Sequence, residues 1–147
     1  MTDLLSWSED LAIGHPGLDA DHRRMVDIIN DVITVVGSKR RPTALLAFLQ
    51  ETTVKHIEIE NRILWHLQAG TGELLQRHPR MRKAVKMMAR SQINDHMAEH
   101  RGFLVRLDAI IGNGADTLCE ELKGWFQDHA HGYDAGLKPI FQAMGAA

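Results

Sequence analysis

The stretch QINDHMAEHRGFLVRLDAII, Gln92–Ile111, decides the fold. Gln92, His96, His100, Phe103, Leu107 and Ile110 recur at steps of three and four, so a helix turns them all to one side, and Val85 and Met88 extend the stripe upstream. Two core-facing positions are therefore histidine. The same period runs from about Asp19 to Val36 through His22, Met25, Ile29, Val32 or Ile33, and Val36. It runs again from Pro42 to Gln68 through Leu45, Leu49, Thr52, His56, Glu60, Ile63 and Leu67. A fourth segment starts near Asp116 with Leu118, Leu122, Trp125 and His129 and continues toward Pro139 and Phe141. The breakers GSKRRPT, AGTG and GNG separate the segments, the third starting near Pro79. No two-residue alternation marks a strand. The expected fold is all-α: an antiparallel up-down-up-down four-helix bundle, one domain over residues 1–147, with residues 1–18 as an irregular N-terminal arm.

Composition narrows the partners. With 17 basic and 19 acidic residues the chain has no electrostatic grip on nucleic acid or an anionic membrane, so neither is an expected partner. No segment resembles a signal peptide or a membrane span, and the single cysteine, Cys119, excludes an internal disulfide and a cysteine-rich zinc module. A cytoplasmic location is the expectation. Nine histidines, scattered through the chain, are the oddity.

Every apolar stripe is interrupted by a residue able to bind metal: His22; His56 and Glu60; His96 and His100; His129. A lone histidine on an apolar face is usually a core residue bonded to a carbonyl. Five imidazoles and a carboxylate at one level are different, because each buried polar group left without a partner costs about 1–3 kcal/mol, and a charge costs more. A metal ion turns that cost into ligation. The pairs His56/Glu60 and His96/His100 are each four residues apart, about one turn, so both members of a pair reach one ion or two adjacent ones. By contrast, His15 and His78 precede prolines and are expected in exposed loops, while His66 and His131 are rotated away from the stripe.

The fourth segment ends in HAHGYD, His129–Asp134. Asp134 lies five residues past His129, about 140° off on a regular helix; a π-type widening near Gly132 would restack the two. With this element the chain resembles the hemerythrin family, in its bacterial form. The resemblance rests on Trp7, LDADH with His22, HIEIE with His56 and Glu60, HMAEH with His96 and His100, and HAHGYD with His129 and Asp134.

The resemblance implies two iron ions, cycling between Fe2+ and Fe3+, with a bridging oxo or hydroxo group. On this pattern His96, His100 and His129 bind one iron, His22 and His56 bind the other, and Glu60 and Asp134 bridge both. One position on the second iron stays open for dioxygen, which implies reversible oxygen binding by a carrier, store or sensor rather than an enzyme. Trp125, Phe126, Ile59 and Phe103 are the candidate walls of the oxygen pocket. The same ligands also suit an enzyme reducing peroxide or nitric oxide, or an iron- or redox-responsive interaction module.

Two departures from the family pattern stand out. The interval from Glu60 to His96 is longer by about twenty residues, which would lengthen each of two helices by ~15 Å and give an extended hairpin over about 62–94. Its many apolar residues, Ile63, Trp65, Leu74, Met81 and Met88 among them, need cover from the arm and tail or from a second copy in a homodimer. Leu137 stands where the family pattern implies a tyrosine.

Overall fold

The computed structural model describes residues 2–69, 77, 79, 90–113, 117–132, 137–139 and 141, with the side chains of 66–69, 90–92 and 113 left aside. Four helices carry the fold: α1 (Pro16–Gly37), α2 (Thr43–Ala69), α3 (Arg90–Asn113) and α4 (Leu118–Gly132), preceded by a 3-10 turn at Glu9–Leu11. Each packs on its sequence neighbour, and α4 closes against α1, as an antiparallel bundle requires. No strand occurs among the described residues.

Helix α1 starts three residues earlier than its apolar stripe suggests. Pro16 occupies the first turn, where its missing N–H costs nothing, and His15 caps the helix by accepting from the Leu18 N–H at 3.1 Å. His15 is thus a half-buried cap, not an exposed loop residue. Asp19 draws the arm in by accepting from the Ile13 and Gly14 N–H groups at 2.7 and 3.2 Å. Gly14 sits at φ +88°, a left-handed conformation that suits glycine, with Phe141 beside it. Further back, the Asn30 amide clamps Leu5 through both its N–H and its carbonyl, and the Arg23 guanidinium lies 4.7 Å over the Trp7 ring. The arm therefore lies along α1 and ends beside the histidine layer.

The core is built on the expected stripes, with local differences. Ile29, Leu49, Phe103, Leu107 and Leu122 are fully buried, and Cys119 is buried with them. On α2 the inward residue beyond Glu60 is Leu64, four on, while Ile63 is only half-buried; Val36 at the end of α1 is exposed. Leu18, Leu64 and Ile93 stand about one turn outward from His22, Glu60 and His96, and all three are buried. The polar layer is therefore enclosed between two apolar ones.

Most of the extended hairpin, including Leu74, Met81, Val85 and Met88, lies outside the described residues. α2 does run on for nine residues past Glu60, to Ala69.

Candidate metal centre

Each helix brings its donors inward because they occupy the apolar stripe. His22, His56, His96, His100 and His129 are buried to 3% exposure or less, and Glu60 to 0%. Around the Glu60 carboxylate, Oε2 lies 2.8 Å from His56 Nε2 and 3.7 Å from His100 Nε2, while Oε1 lies 3.1 Å from His96 Nε2. One donor atom from each of Glu60, His96, His100 and His129 falls within 4.8 Å of the others. His22 Nε2 in turn is 3.2 Å from His56 Nε2. The Glu60 carboxylate thus sits among imidazoles from two other positions of the layer as well as from its own helix.

The backs of three rings are tied to oxygen acceptors. His22 Nδ1 donates to the Leu11 carbonyl at 2.9 Å, His56 Nδ1 faces Asp21 Oδ2 at 3.4 Å, and His100 Nδ1 donates to Asn61 Oδ1. With the proton on Nδ1, the neutral ring turns its Nε2 lone pair toward Glu60 and the other imidazoles. Lone pairs facing lone pairs and a carboxylate call for positive charge between them. That donor set, nitrogen-rich with one central carboxylate, fits a first-row transition metal. The hydrogen bond from His56 holds the Asp21 carboxyl below its usual range; burial opposes this, and the nearby Arg24 guanidinium adds to it.

Aromatic rings pack the flanks. Phe103 stacks on His129 at 3.9 Å and on Trp125 at 4.1 Å, and Trp125 donates its indole N–H to the Phe103 carbonyl at 2.8 Å. Phe126 meets His22 edge-on at 5.7 Å. Trp125 thus stacks on the face of Phe103, which itself stacks on His129. Ile59 does not wall the centre: it is 42% exposed, because one residue before Glu60 is a rotation of about 100° on the helix. It lines a surface groove with Asp21, Phe48 and Lys55 instead. His131 is exposed; Asp134 and His78 lie outside the described residues, as does the side chain of His66. α4 is regular α-helix through Gly132, so the widening expected between His129 and Asp134 does not occur over residues 129–132, and the rest of that stretch lies outside the described residues. Leu137, in the tyrosine's place, is fully buried.

Sequence reasoning missed Leu11, Asp21 and Asn61. A carbonyl leaves no mark in side-chain pattern, but Asp21 and Asn61 each adjoin a donor, His22 and Glu60, and that adjacency was the available signal.

Five imidazoles and a carboxylate turned inward from all four helices define a cation-binding helical bundle. The family model described as Hemerythrin HHE cation binding domain matches residues 14–141, and the chain belongs to the hemerythrin family. Comparison with curated proteins and with solved structures gave no significant match. No described helix is long and apolar enough to cross a membrane.

Proposed function

We propose that this centre holds two iron ions and binds dioxygen reversibly. His96, His100 and His129 would hold one ion and His22 and His56 the other, with Glu60 between them and Asp134 as a second bridge. The observation that supports the reading is the buried Glu60 carboxylate, clustered with His96, His100 and His129 and also in contact with His56, which in turn meets His22. The two-nitrogen side is one donor poorer, which is where a small ligand would find room. Iron, when bound, supplies electrons that dioxygen takes up and returns.

The protein's own part is to hold and to exclude. Tying His22, His56 and His100 back through Nδ1 fixes each ring's tautomer and aim before any cation arrives. Leu18, Leu64 and Ile93 above the layer and Phe103 and Phe126 beside it keep water from the donors, which limits proton delivery to a bound ligand. Loading the protein with ferrous iron under argon and then admitting air tests the reading. A visible band that appears with air and vanishes on deoxygenation is expected. Irreversible bleaching would instead mark turnover, and iron that neither copurifies nor responds to His56→Ala would remove the assignment.

A further inference from the structure

We infer that Asp21 and Asn61 give His56 and His100, one histidine from each half of the centre, different donor strengths, with a charged group behind His56 and an uncharged one behind His100. The inference rests on the two-cation reading above. The acceptors behind the rings differ in kind: a peptide carbonyl behind His22, a carboxylate behind His56 and a side-chain amide oxygen behind His100. Of these three, Asp21 alone carries a charge.

A carboxylate behind an imidazole draws on the Nδ1 proton and pushes electron density to Nε2 through its full charge, which still acts across the 3.4 Å to Asp21, whereas the Asn61 oxygen acts on His100 through a closer but uncharged hydrogen bond. The placement is specific. Asp21 comes from α1, next to His22, and crosses to His56 on α2; Asn61 comes from α2, next to Glu60, and crosses to His100 on α3. One turn of α2 thus supplies both the Glu60 carboxylate and the backing for His100. Arg24 lies 3.7 Å from the other Asp21 oxygen, Oδ1, and leaves Oδ2 to His56. Asp21 also edges the groove between α1 and α2, where solvent partly screens its charge. The asymmetry is therefore one of degree, set by an aspartate where an asparagine would fit and by an asparagine where an aspartate would fit.

The test uses the isosteric exchanges D21N and N61D in the full chain. Anaerobic titration with ferrous iron should show two binding steps in the parent protein, and His22→Ala identifies the step that belongs to the two-histidine half. D21N is expected to weaken that step about 10- to 100-fold, the usual scale for groups behind a ligand, and to spare the other. N61D is expected to tighten the other step and spare the first. In the metal-free protein, imidazole nitrogen chemical shifts should move at His56 alone for D21N and at His100 alone for N61D, a response that loss of packing would not confine to one ring. Two steps that ignore both exchanges, or shift together, would overturn the inference while leaving the two-iron reading intact. No iron binding by the parent protein would overturn both.

Discussion

Two layers of the same bundle, seven residues apart on every helix, share an address and differ in chemistry. Ile29, Leu49, Leu107 and Leu122 are fully buried, and seven residues along from them stand His22, His56, His100 and His129, buried nearly as well. Seven residues is about two turns, or ~10 Å, and returns to nearly the same face. The helices thus present one continuous inward stripe. In one layer it supplies apolar contact, which stabilises without a ligand; in the other it supplies lone pairs and a carboxylate, whose burial is repaid when a cation sits among them.

The largest effect expected from breaking this comparison lies in the apolar layer. Leu49→Ala should cost about 2–5 kcal/mol, from lost transfer energy and the cavity left behind, and should cost the same with and without iron. Chemical denaturation in both conditions checks this; a loss that grows or shrinks with iron would mean that the layers are not separate supports. In the donor layer the dependence is reversed. Iron at a hundredfold over its dissociation constant should raise parent stability by about 2.7 kcal/mol, and Glu60→Gln should abolish that gain. If Glu60→Gln retained the full iron-dependent rise in melting temperature, the central carboxylate would not be the shared donor.

How far the two layers were legible in the sequence follows from what periodicity can carry. The apolar stripes fixed four helices and placed each of the six described donors inward, because burial at 3.6 residues per turn is a property of one helix at a time. The same period should have excluded Ile59, which adjoins Glu60 and so faces out. What it could not reach were relations between helices. Whether Asp21 meets His56, or Asn61 meets His100, depends on how far each helix is rotated against its neighbour, and no single stripe records that. His15 was hidden differently: a histidine before proline marks a loop and a helix cap equally well, until the Leu18 N–H is seen to point at its ring.

Smaller perturbations sharpen the contrast between the layers and what lies outside them. Asn30→Ala removes both bonds that clamp Leu5 and should cost about 1 kcal/mol or slightly more, read as a lower melting temperature and faster cleavage within the arm. Lys55→Ala breaks an exposed pair with Glu51 on the outside of α2, and should move neither melting temperature nor iron affinity measurably. A clear shift in that variant would mean that the surface of α2 is coupled to the interior.

The Leu11 carbonyl gives the N-terminal arm an importance that its three-residue turn conceals. It belongs to the 3-10 turn and to none of the four helices, yet it holds the back of His22. Seating the arm and seating a cation are therefore linked equilibria, and by reciprocity each favours the other by the same free energy. Whatever lifts the first fifteen residues from α1 loosens the centre, and whatever fills the centre fastens the arm: the chain's most peripheral segment is a readout of its most buried one.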